Sequence, residues 1–149
     1  MPLPIDPSAL DADDVGEKRA TLEMDHDAAV EHVREAFTAA GFGVAAEFSA
    51  SGLLNEKIDA GRDPYYVLGA CNPAMADRAL DASGNRIGGL FPCNVVVWET
   101  EPGVQEVYHV SIMRIARLVG MAPDDETWAD IVEETGELVD AAWANLDAA

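Results

Sequence analysis

The C-terminal part of the chain carries a continuous apolar stripe at the spacing of an α-helix. Apolar side chains recur at steps of three and four residues, and acidic residues fill most other positions; the stripe consists of Trp128, Ile131, Val132, Thr135, Leu138, Val139, Ala142 and Leu146. A helix of this kind gains most of its stability by burying the stripe against other elements. The pattern therefore predicts a long amphipathic helix, starting near Pro123 and Asp124, that packs on a core supplied by the rest of the chain.

The preceding residues alternate between strand and helix patterns. Period-two and β-branched runs predict strands over residues 17–24, 43–48, 65–70, 93–99 and 104–110. Apolar residues at helical spacing predict helices between Asp25 and Gly41, over 51–59 and 73–80, and after Ser111. The sequence shows no repeat, heptad or linker within them. We therefore predict a single α+β domain over residues 17–149, an antiparallel-rich sheet packed by helices, after a flexible acidic arm over residues 1–16.

Local signals predict finer details of this fold. Asp25 is expected to cap the first helix, and Gly41 to end it in the left-handed conformation so that Phe42 packs back on Phe37. The apolar run over residues 65–70 is typical of a central strand covered on both faces. The inner side of the second helix is predicted to consist of Leu53, Leu54 and Ile58.

The charge balance excludes several classes of function. The chain has 28 Asp and Glu against 9 Lys and Arg, which gives a net charge of −19. A surface this acidic repels phosphate backbones, so we expect no nucleic-acid partner and no binding to a membrane surface through basic residues. With 49% apolar residues the chain still has enough material for a core.

Lysine is nearly absent from the chain, with only Lys18 and Lys57 present. Acid-rich, lysine-poor composition resembles that of cytoplasmic halophilic proteins, whose carboxylates repel one another little in concentrated salt. No basic and apolar secretory signal opens the sequence, and no uncharged stretch, residues 87–98 included, reaches the roughly 20 residues of a spanning helix. We therefore expect a cytoplasmic protein with no membrane partner.

Both cysteines are followed by asparagine, in Cys71-Asn72 and Cys93-Asn94. The predicted strands would allow the two sulfurs to meet, and two thiolates suit a soft metal such as Cu(I). His109 is the histidine best placed to join them, because His26 and His32 are six residues apart and lie on different helix faces. The alternative is that each cysteine is a small buried hydrophobe.

Thiol chemistry is the enzymatic alternative. The helix predicted at Pro73 would point its N-terminus at Cys71, which favours a thiolate. Against this, the sequence contains no C-x-x-C pair, and an acidic protein opposes a further negative charge. Catalysis, and the identity of any cofactor, therefore stay open at this stage.

Three spaced motifs resemble the family called domain of unknown function 302. They are Gly41-Phe42-Gly43-Val44, Leu68-Gly69-Ala70-Cys71-Asn72-Pro73 and Phe91-Pro92-Cys93-Asn94-Val95-Val96-Val97. The resemblance runs from about residue 20 to the C-terminus and implies a small α+β protein of a family whose members are often homodimers. If the chain dimerises, we expect the long helix or an edge strand to form the interface. The family's name records that no activity is settled. Glu47 and Lys57 match an acidic position and a lysine of the family.

The predicted site combines the residues and the resemblance. A Glu47–Lys57 pair beside the cysteines would make a polar pocket, so the predicted ligand-binding residues are Glu47, Lys57, Cys71, Asn72, Cys93 and Asn94. The predicted metal ligands are Cys71, Cys93 and His109. Three hypotheses follow: a binding module for a small molecule or soft metal, a thiol-dependent redox enzyme, and a structural or interaction protein with inert cysteines.

Overall fold

The chain folds around one five-stranded antiparallel sheet. The computed structural model describes residues 3–147, and its strands are β1 (Lys18–Leu22), β2 (Gly43–Ser49), β3 (Tyr65–Cys71), β4 (Cys93–Glu101) and β5 (Val104–His109). Their order across the sheet is β1-β5-β4-β3-β2, and all neighbours are antiparallel. The predicted α+β class and antiparallel sheet are confirmed.

Five α-helices connect and cover these strands. They are α1 (His26–Ala39), α2 (Ala50–Ile58), α3 (Pro73–Ala82), α4 (Ile112–Leu118) and α5 (Glu126–Leu146), and two short 3₁₀ helices lie at Pro7–Ala9 and Arg86–Leu90. The predicted long C-terminal helix is α5. It begins at Asp125, whose side chain accepts a hydrogen bond from the Trp128 backbone N–H at 2.9 Å. None of these helices is both long and apolar enough to cross a membrane.

One face of the sheet, together with α1 and α5, forms the larger part of the core. Its fully buried side chains include Val33, Phe37, Leu68, Val95, Val97, Val107 and Leu146. A second cluster lies between α3, α4 and α5 around Trp128, whose indole N–H donates to the Met113 carbonyl at 2.9 Å. The α5 stripe therefore serves both clusters, which is why it extends over the whole helix.

The opposite face of the sheet carries the alternate strand residues, and we call it the open sheet face. It presents Phe48, Tyr65, Val67, Val96, Trp98 and Tyr108. The rings of Tyr65 and Trp98 stack with centroids 5.8 Å apart, and Phe48 is 50% exposed. The side chains on this face of β3 remain half-buried, so the prediction that β3 is covered on both faces is wrong.

Of the detailed predictions for single helices, one is confirmed and the others differ from the structure. Gly41 has φ +103°, and the Phe42 ring packs on Phe37 at 5.2 Å, as predicted. Asp25 occupies the cap position of α1, but its side chain makes no cap hydrogen bond. The predicted inner side of α2 is wrong, because its three apolar residues are exposed, Ile58 by 71%. This helix is instead held at the start of β3 by polar contacts, among them Tyr65 N–H to Ser51 Oγ at 2.9 Å.

The boundary between arm and domain falls where the chain reaches β1. Residues 12–16 form turns, and the Val15 carbonyl accepts from the Ser111 backbone N–H at 2.8 Å. Flexibility of the arm over residues 1–16 stays a prediction. Residues 1–2 of the predicted arm and residues 148–149 of the predicted domain lie outside the described residues.

Candidate functional site

A cavity of about 250 Å³ lies at the end of the sheet where β3 ends and β4 begins. We call it the apolar cavity, because carbon and sulfur atoms supply nearly all of its lining. Its main walls are Phe42, Cys71, Met75, Phe91, Pro92, Cys93 and Met113. The three motifs singled out in the sequence therefore converge on one space, enclosed by α3 on one side and by α5 on another.

Cys71 and Cys93 come together because β3 and β4 are neighbours. Cys93 lies directly opposite Ala70, the residue before Cys71, and both cysteines are half-buried free thiols. Burial, together with a smaller contribution from a negative charge on Cys71, raises the pKa of the Cys93 thiol to about 12. Cys93 is therefore a neutral S–H group at any physiological pH.

The wall beside Cys71 depends on a glycine. A Cβ atom at Gly69 would lie 2.5 Å from Pro92 Cγ and 2.8 Å from the Ala46 carbonyl oxygen. Only a residue without a side chain allows Pro92 and β2 to approach β3 this closely. The Leu-Gly-Ala-Cys-Asn-Pro motif thus supplies the close approach as well as the thiol.

The two asparagines have different surroundings. Asn72 caps α3: its Oδ1 accepts from the Met75 backbone N–H, and its Nδ2 donates to the Gly41 carbonyl, each at 3.0 Å. Asn72 therefore joins two of the motifs and lines the apolar cavity. Asn94 is exposed and does not line it; its backbone carbonyl accepts from His109 Nδ1 at 2.8 Å.

The predicted Glu47–Lys57 pair is not formed. Glu47 Oε1 instead accepts hydrogen bonds from Tyr66 Oη and Arg34 at 2.5 Å each, and these two donors lower the pKa of its carboxyl group. Lys57 is exposed and has no carboxylate partner among residues 3–147. Neither residue lines the apolar cavity, because Glu47 lies over α1 and Lys57 lies on the outer helix α2.

The third predicted metal ligand is also separated from the thiols. His109 is 3% exposed and packs against Phe37 and Trp143, with ring centroids 6.3 and 6.5 Å away, and it does not line the apolar cavity. Burial lowers the pKa of His109, although its bond to a backbone carbonyl opposes this shift. Between residues 3 and 147, no three His, Cys, Asp or Glu side chains are grouped so that they could hold a metal ion.

Thr135 lies in the wall of the apolar cavity and was predicted only as part of the α5 stripe. It is 6% exposed, and its Oγ1 is the one fully buried side-chain N or O atom in the described part of the chain without a hydrogen-bond partner. Such an atom costs stability unless something satisfies it. The signal in the sequence was a polar residue at a position of the stripe otherwise held by apolar side chains.

The remaining walls contain residues that the sequence gave no reason to select. Met75 and Met113 contribute from α3 and α4, and neither has a motif around it. Phe42 and Phe91 lie inside quoted motifs, yet only packing was expected of Phe42. Apolar residues that line a cavity cannot be distinguished in a single sequence from apolar residues that fill the core. Cysteines and glycines can be selected, because their chemistry or backbone conformation is distinctive.

Comparisons with known proteins agree with this architecture. A crystal structure of an uncharacterized conserved DUF302 protein from Bacillus stearothermophilus superposes with a TM-score of 0.71 at 24% identity, covering 88% of this chain and 95% of that chain. At this level of identity the likeness concerns the fold. The search against curated proteins gives no match.

The sequence itself fits a family model along most of its length. The model for the domain of unknown function DUF302 matches residues 18–146, from the first strand to the last residue of α5. This range contains all three motifs that form the apolar cavity. The chain therefore belongs to the DUF302 family.

Proposed function

We propose that this protein is a binding module for a small, largely apolar ligand that occupies the apolar cavity beside Cys71 and Cys93. The cavity itself carries the proposal: about 250 Å³ of space with a carbon- and sulfur-rich lining. An engineered protein cavity of about 150 Å³ stays dry and binds benzene. A ligand of the size of a substituted benzene ring is therefore the expected occupant.

The polar groups at this cavity favour a ligand with a single hydroxyl or carbonyl group. Thr135 Oγ1 lacks a partner, and the neutral Cys93 thiol is a weak donor. Asn72 is fixed by its bonds to Met75 and Gly41, which leave one N–H of its amide group unused. One polar group on an otherwise apolar molecule would satisfy Thr135 and leave the other walls in apolar contact.

A soft metal is the second occupant predicted from the sequence, and the donor set favours it less. Cys71 and Cys93 supply two sulfurs, but His109 lies elsewhere, and Cu(I) would have to displace a proton from a thiol whose pKa is about 12. The same high pKa argues against a redox enzyme, because the thiolate is the reactive form. Native mass spectrometry with Cu(I) and Zn(II) tests the metal, and retention that is lost in Cys71→Ser would favour it.

Cavity-filling variants test the ligand. Ala76 on α3 lines the apolar cavity, whereas Ala74 on the same helix is exposed and does not. We expect toluene and 4-methylphenol to raise the melting temperature of the wild-type protein and of Ala74→Leu, but not of Ala76→Leu, because ligand binding stabilises the folded state by mass action. The 4-methylphenol response should exceed that of toluene if Thr135 takes part.

Two results would contradict this proposal. One is that neither probe shifts the melting temperature of the wild-type protein. The other is that both probes act equally on Ala76→Leu and Ala74→Leu. In either case the cysteines would be inert buried side chains of a structural or interaction protein, the third hypothesis.

We infer that the homodimer implied by the family resemblance forms through the open sheet face. Two copies of a chain with a net charge of −19 repel each other least where few of their facing side chains are charged. The six residues that define this face are uncharged, and the charged side chains that the register adds to it from β1 and β5, Arg19 and Glu106, lie 3.8 Å apart as an ion pair. Phe48→Asp should give a monomer in sedimentation equilibrium, while Leu53→Asp, on exposed α2, should not. An unchanged mass for Phe48→Asp would exclude this face.

A further inference from the structure

A second cavity, of about 340 Å³, lies on the other side of Thr135. We call it the polar cavity. It is enclosed by the turn over residues 13–18, by the C-terminal end of β5, by the start of α4 and by the middle of α5. Thr135 lines both cavities, so its unpartnered hydroxyl belongs to the wall between them.

The floor of the polar cavity consists of two buried side chains with unused hydrogen-bonding capacity. His109 is oriented by the Asn94 carbonyl, which can only accept, so Nδ1 carries the proton and Nε2 is left as an acceptor. Thr135 Oγ1 has no partner. Burial lowers the pKa of His109, the bond to the Asn94 carbonyl opposes this shift and Lys18 adds to it, so the neutral ring is favoured.

One wall supplies donors. Ser111 Oγ accepts from the Arg114 backbone N–H at 3.2 Å, so its own proton remains available. The half-buried Arg114 guanidinium has no carboxylate within 4.0 Å in the described part of the chain, although acids outnumber bases threefold. The Arg114 guanidinium is therefore an unpaired cation beside a cavity, and it is available to bind the anionic group of a ligand.

The N-terminal turn packs closely against Ser111 and Arg114 in this wall. Gly16 has φ +63°, and a Cβ atom there would lie 2.7 Å from Ser111 Cβ and 3.2 Å from Arg114 Cδ. The other charges at the rim are already neutralised in part: Lys18 Nζ lies 2.7 Å from Asp140 Oδ1, and Glu17 accepts from Arg19. The exposed Asp13 carboxylate lies at the mouth.

We propose that the polar cavity binds a small carboxylic acid with a hydroxyl or amino group on the adjacent carbon. Its carboxylate takes hydrogen bonds from Arg114 and Ser111, and its hydroxyl or ammonium group donates to His109 Nε2. Thr135 completes the set, because its hydroxyl donates to the carboxylate or accepts from the second group. The site is independent of the ligand proposed for the apolar cavity and shares only one wall residue with it.

Three probes of similar size test this site: glycolate, glycine and acetate. We expect glycolate or glycine to bind saturably by isothermal titration calorimetry, and acetate, which lacks the second group, to bind at least about tenfold more weakly, the weight of one good hydrogen bond. Binding should also move the ¹⁵N resonance of His109 Nε2. Glycolate alone would identify a hydroxy acid as the ligand class, and glycine alone an amino acid.

Matched variants separate the two cavities. Arg114→Gln should weaken binding at least about tenfold, whereas Arg117→Gln, on the same helix but outside the polar cavity, should leave it unchanged. Thr135→Val should raise the melting temperature of the free protein and weaken binding. Ala76→Leu fills the apolar cavity and should leave binding to the polar cavity unchanged. The polar site can therefore be confirmed or rejected whatever the outcome for the ligand of the apolar cavity.

The proposal is overturned by any of four outcomes. The first three are that glycolate and glycine both fail to bind at millimolar concentrations, that both bind no better than acetate, or that the better of them binds equally well to Arg114→Gln. A shift of the His109 resonance that is the same for acetate would assign the effect to general anion binding and would also overturn it.

Discussion

The apolar cavity and the polar cavity share Thr135 and differ in almost everything else. The first is built by three compact motifs at strand ends, with Cys71, Gly69 and Pro92 close together in the chain or across the sheet. The second takes its lining from the N-terminal turn and β1, from the end of β5, from the start of α4 and from the middle of α5, with no motif in any of them. Compact motifs and scattered residues can therefore build cavities of similar size, but only the first kind is visible in a sequence.

Burial acts in opposite directions on the ionisable group of each cavity. It raises the pKa of Cys93, an acid that is neutral when protonated, and lowers the pKa of His109, a base that is neutral when deprotonated. In both cases the neutral form is favoured. The two cavities thus offer hydrogen-bonding groups without charge at their deepest points, and the charged side chains remain at the rim of the polar one.

The largest expected effect concerns Cys93. In Cys71→Ser, Cys93 should react with iodoacetamide at pH 8.5 at least about a hundredfold more slowly in the folded protein than in urea. Burial is the main cause that raises the pKa of the Cys93 thiol, it persists in this variant, and it leaves few thiolates compared with a free cysteine at about 8.5. Mass spectrometry of the alkylated protein over time measures the rate. Equal rates in the folded protein and in urea would show that burial does not raise the pKa of Cys93, and the contrast between the two cavities would then be wrong.

The next effect concerns the wall of the apolar cavity. Gly69→Ala should cost about 1–3 kcal/mol of unfolding free energy, because the new methyl group overlaps Pro92 and the Ala46 carbonyl. Urea unfolding gives the value. Gly43→Ala is the control, since its Cβ would meet nothing closer than 3.8 Å. The idea of a forced close approach fails if both substitutions have the same cost.

The polar cavity should respond to pH through His109. Its lowered pKa means that the unfolded chain takes up a proton first as the pH falls, so stability declines below about pH 6.5, by up to about 1.4 kcal/mol per pH unit. His109→Gln should flatten this part of the curve of unfolding free energy against pH. An NMR titration of the wild-type ring that gives a pKa at or above 6.5 would show that this reasoning is wrong.

The smallest effect is expected at the rim of the polar cavity. The ion pair between Lys18 and Asp140 is exposed to solvent, so Lys18→Met should cost less than about 1 kcal/mol, and the difference should disappear in about 1 M KCl, where the Debye length is about 3 Å. Lys57→Met is the control for loss of a cation. A larger cost that persists in salt would mean that the rim pair supports the cavity.

The sequence was sufficient to predict the strands of the sheet and the cysteine motifs of the apolar cavity, but it gave no indication of the polar cavity. Sequence patterns located all five strands and α5. The apolar faces of α5 and of most strands are buried, β2 being the exception because its residues are mostly exposed, and rare motifs located Cys71 and Cys93. The same reasoning misplaced the apolar residues of α2, where polar contacts through Ser51 hold the helix and burial does not. Pairing of Glu47 was also missed, because its partners Arg34 and Tyr66 become neighbours only when α1 packs on the sheet.

The register of the sheet joins early and late parts of the chain. Lys18 in β1 lies opposite His109 in β5, and the Trp143 indole N–H donates to the Arg19 carbonyl at 2.9 Å. During synthesis, β1 therefore has no strand partner until β5 has left the ribosome, and no helical cover until α5 follows. Until then its unpaired backbone stays exposed. The polar cavity can therefore form only after the chain has been synthesised as far as Asp140 in α5.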